Sequence, residues 1–168
     1  NQFGGGSLTL ADSTAGTFTF IFYLISPTQA IFQETDTSIT SDGTFAAQTS
    51  TPITTASLAG DFEFGWSGTN PEEQDYAGQL TVTSGTGNFT GLVDLNDFAT
   101  GKQTFDASVS GNLVLAGDGT GANGLTANVG TSPPTTLQFT SYVVDPNTVL
   151  VVGIDTNSVL AGTLVRQP

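Results

Sequence analysis

Between Asp61 and Ser67 every second residue is a large ring: Phe62, Phe64 and Trp66 share one face, and Asp61, Glu63 and Ser67 share the other. A period of two predicts a strand with one face on a core and the other in water. The same beat puts Leu80 and Val82 inward, then Phe89, Val93 and Leu95, then Phe105, Ala107 and Val109, then Leu113 and Leu115. Gly, Asn or Asp bounds each run, so about nine short antiparallel strands are expected between residues 58 and 168 and almost no helix.

A second regularity runs at longer range. Displaced by 119 residues, Thr17 to Gln48 aligns without a gap on Thr136 to Gln167, with identities at Thr17/Thr136, Phe20/Phe139, Tyr23/Tyr142, Pro27/Pro146, Asp36/Asp155, Thr37/Thr156, Gly43/Gly162, Thr44/Thr163 and Gln48/Gln167. Usage this rich in Thr would give about two or three by chance, and the rarer Phe, Tyr, Pro and Asp carry the match. With a two-residue length change in the loop, Ser7-Leu8-Thr9 falls beside Gly124-Leu125-Thr126. The chain therefore reads as about 1.4 copies of a 119-residue unit: a closing half over residues 1–50, a linker over 51–57 and a full unit over 58–168. Asp145-Pro146-Asn147-Thr148 and Ser26-Pro27-Thr28-Gln29 suit the same tight turn, with Pro fixing φ at its second position. A further turn at Asp155-Thr156-Asn157-Ser158 matches Asp36-Thr37-Ser38, which makes each closing half a meander of three strands, with a short strand before it. The fold expected is all-β, an antiparallel sandwich or barrel-like meander.

The copies part company on their first long strand. In the later one Leu137, Phe139 and Val143 form one apolar face interrupted by Ser141, and Gln138 and Thr140 are polar on the other. In the earlier one Phe18, Phe20, Phe22 and Leu24 form an unbroken apolar face, and Ile21, Tyr23 and Ile25 make the opposite face apolar too. A strand apolar on both sides wants cover on both sides. Either the half unit packs centrally within a larger sandwich, or it completes a sheet with a neighbouring subunit. These seven residues are the candidate inter-unit contact.

Charge narrows the function. Lys102 and Arg166 stand against 15 carboxylates, so a polyanion meets repulsion and nucleic acid is not expected as a partner. Cys, Met and His are all missing from the chain, which removes disulfides, thiolate and imidazole chemistry and the commonest soft-metal ligands. The longest apolar run, around Phe18 to Ile25, is too short to span a bilayer as a helix. The start at Asn1, without an initiator Met, leads to the expectation of a processed chain or an excised piece with no signal peptide of its own.

The stretch Leu58-Ala59-Gly60-Asp61-Phe62-Glu63-Phe64, continued by Ala77 to Asp97, Leu113 to Thr126 and Val159 to Gln167, resembles the tandem β-repeat domains of large secreted proteins of acidobacteria and similar soil bacteria. The resemblance implies export and modularity, and no catalytic residues.

Candidate chemistry is sparse. Asn70-Pro71-Glu72-Glu73-Gln74-Asp75 gathers three carboxylates near Asp61 and Glu63 without the spacing of a calcium loop, and reads as a solvated turn, as do Asp94-Leu95-Asn96-Asp97 and Gly117-Asp118-Gly119-Thr120-Gly121. Glycoside hydrolysis needs two carboxyl groups about 5 to 10 Å apart beside sugar-stacking rings. Trp66, Tyr23, Tyr76 and Tyr142 are few and fit architecture better. Asn88-Phe89-Thr90 matches a glycosylation acceptor, and Lys102 sits in an expected exposed turn. The expectation is a non-enzymatic extracellular or cell-surface structural protein without cofactor or metal, its partners being further copies of itself joined head to tail by strand complementation into an array or filament. The alternative is a secreted β module that binds a glycan or small ligand.

Overall fold

The computed structural model describes residues 4–36, 41–48, 52–69, 72–98, 100–117, 119, 122–130, 133–156 and 158–168. Asn70-Pro71, Asp118, Thr120 and Gly121 of the glycine-rich loop, and Thr37, Ser38 and Asn157 of the paired turns lie outside the described residues. The fold is all-β. It divides into two compact units, Asn1–Ala47 and Gln48–Pro168.

The larger unit contains eight strands: β5 (Gly60–Thr69), β6 (Glu73–Val82), β7 (Asn88–Asp97), β8 (Lys102–Val114), β9 (Asn123–Val129), β10 (Thr135–Asp145), β11 (Thr148–Gly153) and β12 (Val159–Arg166). Each pairs antiparallel with its neighbour in sequence, and β12 closes on β5 from Val159↔Thr69 to Arg166↔Phe62, which makes an up-and-down barrel with no open edge. An eight-stranded barrel is just wide enough for side chains to fill. The inward face of β5 stacks Phe64 on Trp66 with centroids 4.2 Å apart, and Trp66 meets Phe139 at 4.8 Å from the far wall. Leu80, Phe89, Val93, Leu137, Val143 and Leu164 complete the same core.

Two inward rings lie over cross-strand glycines: Phe64 over Gly78 and Phe89 over Gly111. Removing a Cβ at those positions lets the ring lie flat on the neighbouring strand, a known device for pinning register.

Two features of β8 depart from the expected strands. The expected strands around Phe105 to Val109 and Leu113 to Leu115 are a single 13-residue strand, β8, so the barrel has eight strands and not nine. Within it Phe105 and Asp106 together face Asp94, because the register shifts between Val93 and Leu95. Asp106 takes φ 53°, and its N–H donates to Asp94 Oδ1 at 2.9 Å. This bulge inverts the phase of everything before it, so Phe105, expected inward, is exposed. Ile53, in the stretch read as a linker, and Leu58, just past it, are buried in the barrel core. The turn between them is held by the Ser57 and Thr54 hydroxyls and backbones.

The smaller unit is a four-stranded sheet, β1 (Gly5–Asp12), β2 (Gly16–Ser26), β3 (Gln29–Glu34) and β4 (Asp42–Ala46), paired in sequence order. Shifted by 119 residues, every pairing of β2 with β3 and of β3 with β4 falls on a pairing of β10 with β11 and of β11 with β12. Shifted by 117, β1 falls on β9 in the same way from Gly6↔Phe22 onward. The irregularity after Leu24 has its counterpart after Val143. The expected strand before the three-stranded meander is thus a full member of each: β1 and β9.

Candidate functional site

The candidate contact residues all lie on β2, and both flanks of β2 are filled by β1 and β3. The cross-strand pairs settle which face each residue joins. Phe18, Phe20, Phe22 and Leu24 stand with Leu8 and Leu10 of β1, Ala30 and Phe32 of β3 and Phe45 of β4. This face corresponds, position by position, to the inside of the barrel. Phe20 meets Phe32 edge-on at 5.3 Å, Phe32 lies against Phe45 at 4.6 Å, and the Phe22 and Phe32 rings cover Gly6 and Gly43.

Ile21, Tyr23 and Ile25 belong to the other face, with Ile31. Ile21, Tyr23 and Ile31, with Gln33, Asp42 and Thr44, border a shallow apolar groove of about 510 Å³, which Ile25 does not reach.

Exposure separates the two meanders. Phe20 is buried, but Leu24 is 57% exposed where its counterpart Val143 is fully enclosed, and Leu10, Phe45, Tyr23 and Ile25 are also exposed. The structure therefore groups the seven candidates by face, four on the barrel-like side and three on the other. Sequence reasoning missed Leu8, Leu10, Phe32 and Phe45, which share the first face. The signal was present, since each aligns with a core residue of the later meander: Leu125, Ala127, Val151 and Leu164.

The barrel's own seam shows what the sheet lacks. Arg166 is laid over Phe62, 4.9 Å from guanidinium to ring. It donates from Nη1 to Ala59 O at 2.6 Å, from Nη2 to Ser57 O at 2.8 Å, and from Nε and Nη2 to Pro146 O at 3.2 and 3.1 Å. One planar cation thus ties the β10–β11 turn and the segment entering β5 to the last strand. The equivalent position in the sheet is Ala47.

The turns, by contrast, are duplicated in detail. Asn147 N–H donates to Asp145 Oδ1 at 2.7 Å, and Thr28 N–H to Ser26 Oγ at 3.1 Å. Asp155 Oδ2 accepts from Gln138 N–H at 2.8 Å, and Asp36 Oδ2 from Thr19 N–H at 2.7 Å.

The other candidate groups have structural occupations. On the outer wall of β5 to β8 a polar groove of about 530 Å³ is bordered by Asp61, Gln79, Thr81, Asp94 and Asp106. There Asp61 Oδ1 accepts the Thr81 hydroxyl at 2.6 Å, while Asp94 caps the bulge. Among the described residues no three carboxylates converge on a common point. Trp66 is inside the barrel, its Nε1–H buried without a hydrogen-bond partner. Tyr76, beside it, donates to Gln74 Oε1 at 2.7 Å, and burial, helped by the charge of Asp97, pushes its phenol up to about 12. Asp12, exposed in the β1–β2 turn, is held below its ordinary value by the N–H groups of Ala15 and Thr14. Asn88 is exposed at the start of β7, where its side-chain oxygen accepts from Asn112 Nδ2 at 2.8 Å. Lys102 is exposed at the start of β8, past Gly101 in the left-handed region. Among the described residues no helix is long and apolar enough to cross a membrane.

No known family model matches the chain, and no curated protein matches it either. Solved structures do. A de novo designed fluorescence-activating β-barrel is similar at 15% identity and TM-score 0.51, over 68% of this chain and 99% of its own. A redesigned β-barrel matches at 16% identity and TM-score 0.50, over 70% and 100%. At such identities the likeness concerns the barrel fold alone. The transferrin-binding protein B of Haemophilus parasuis Hp5 aligns with 96% of the chain and 36% of its own at 10% identity, with a TM-score of 0.27 that carries no argument.

Proposed function

We propose that the protein is a non-enzymatic structural module of a tandem-repeat, extracellular assembly, in which the sheet β1–β4 joins one unit to another by strand addition. One observation carries the reading: a meander paired like half of a closed barrel presents apolar side chains on both faces and has β1 and β4 as the two end strands of its sheet. Natural sheets blunt such edges with charge or Pro, or cover them. Here Leu10 and Phe45 stand on the two edge strands, with no Lys or Arg in either. Strand addition would satisfy the edge backbone, and the Phe side chains would supply specificity.

Export is supported by the composition and by the resemblance to secreted repeat domains. A head-to-tail contact that does not close would grow into a filament. The alternative of a glycan- or ligand-binding module has less support, since Trp66 and Tyr76 are spent on the core.

The test is the mass and shape of particles formed by the whole chain, by light scattering and electron microscopy, beside a Leu24→Asp variant. Elongated oligomers that the variant loses are expected. A compact wild-type monomer overturns the reading.

A further inference from the structure

Resting on the reading of β1–β4 as a joining surface, we infer what joins it. The sheet is the closing half of a second eight-stranded barrel, and its partner is an opening half: a four-stranded antiparallel meander with the alternation of β5–β8, not already closed by a meander of its own.

The barrel supplies the template. β9–β12 are covered on their inner face by β5–β8, with β9 flanked by β8 and β12 by β5. Since β1–β4 repeat the pairing of β9–β12 strand for strand, a β8-type strand fits against β1 and a β5-type strand against β4. Both contacts add to the end strands of the sheet, and those end strands flank the face that carries Phe18, Phe22, Leu24 and Phe32.

An intact second copy is the weaker partner, able to add at an edge without covering the inner face. Its β5–β8 already contribute Phe62, Phe64, Trp66, Leu80, Phe89 and Val93 to a closed core, and lending them would expose that core and its partner half together.

Size complementarity narrows the partner further. The sheet is heavier on the inner face than its counterpart: Leu10 replaces Ala127, Phe18 replaces Leu137, Phe22 replaces Ser141, Leu24 replaces Val143, Phe32 replaces Val151 and Phe45 replaces Leu164. Ala30 for Val149, Ser41 for Leu160, Gly6 for Asn123 and Asp12 for Val129 go the other way, and the six larger residues still leave this face of the sheet the heavier of the two. Barrel interiors are packed at crystal-like density, so a heavier closing half requires a lighter opening half. Where β5 carries Phe64 and Trp66, the partner strand carries small aliphatic residues.

The experiment extends the full chain at its N-terminus with an added copy of residues 52–117. The loop then entering β1 has the length of the one entering β9, because Gly6 takes the place of Asn123. Two forms are made, one with the added copy unchanged and one with Phe64→Val and Trp66→Val in the added copy only. Amide exchange in β1 and β4 is compared with the unextended chain. The lightened form is expected to slow exchange of the edge amides at least about 100-fold, and more than the unchanged form does. A Leu24→Asp substitution in the extended chain should reverse the protection.

Protection in the lightened form with an unextended chain that is monomeric supports the barrel completion while sinking the assembly reading. Oligomers of the unextended chain combined with no protection in either extended form overturn the completion and leave assembly by another contact. If the unextended chain, by associating with its own β5–β8 still paired, protects β1 and β4 as strongly as the lightened form does, an intact copy is the full partner and the inference is wrong.

Discussion

β1–β4 and β9–β12 are the same meander in two circumstances. They share pairing, the irregularity after the second strand, the two-residue turn and the aspartate that accepts a backbone N–H from the strand beyond. They differ in everything closure uses. β9–β12 meet β5 and β8, bury Val143 completely and end in Arg166; β1–β4 leave Leu24 largely exposed and end in Ala47. Register is therefore written locally, in alternation and turn chemistry, whereas stability comes from what lies across the barrel.

The sharpest way to break that comparison is to remove equivalent rings. Phe139 packs on Trp66 inside the barrel, and Phe139→Ala should cost about 3–5 kcal/mol. Its counterpart Phe20 touches Phe32 in an open sheet, so Phe20→Ala should cost the barrel nothing and the sheet no more than about 2 kcal/mol. Trp66, the only tryptophan, reports barrel unfolding by fluorescence in denaturant, and hydrogen exchange in β2 and β3 reports the sheet. Equal losses in both units would mean that the sheet is as fully packed as the barrel.

Arg166 tests closure next. Arg166→Ala removes four donated bonds and leaves the Ala59, Ser57 and Pro146 carbonyls without that partner, an expected loss of about 2–3 kcal/mol in the barrel transition. The denaturant midpoint checks it. The converse change, Ala47→Arg, should protect the sheet far less than Arg166 protects the barrel, since of the three carbonyls only the counterpart of Pro146, Pro27, belongs to the sheet.

Alkaline titration gives a comparable effect confined to the barrel. Tyr76 has a folded pKa of about 12 against an ordinary 10.0, so the native state favours the neutral phenol. The contribution is complete below pH 10 and is lost as pH rises towards 12, because there the unfolded chain alone releases the proton. With solvent screening at the partly accessible hydroxyl, the contribution is about 1–2 kcal/mol. Urea unfolding at pH 9 and pH 11 should show the loss in the wild type and a smaller one in Tyr76→Phe. The same loss in both proteins would assign the alkaline instability to other groups.

These contrasts also show what the sequence could and could not reveal. Strands, turns and the 119-residue offset were legible because each is a local pattern of apolar, Gly, Pro and Asp positions. The barrel-like face of β1–β4 was legible only through that offset. Closure was not legible, for Val159–Arg166 and Phe62–Thr69 meet across about a hundred residues and no spacing announces the pairing. The bulge at Asp106 was hidden as well: a non-glycine residue at positive φ breaks the alternation from within, and it turned Phe105 from an expected core ring into an exposed one. Arg166 drew notice as one of two cations, yet its targets are backbone carbonyls, which leave no mark in a sequence.

The smallest effects should be equal in the two meanders, and equality is the informative outcome. Asp155 and Asp36 each accept one backbone N–H from the strand two places back, Gln138 in one case and Thr19 in the other. Neither bond involves β5–β8, so closure should not change its worth. Asp155→Ala and Asp36→Ala should each cost about 1 kcal/mol, in the barrel and in the sheet respectively, as for other carboxylates that accept backbone donors. Local hydrogen exchange at Gln138 and Thr19 reads the two changes side by side. A cost at Asp155 with none at Asp36 would mean that the turn aspartate holds register only once a barrel has closed around it, and the division between local register and long-range stability would fail.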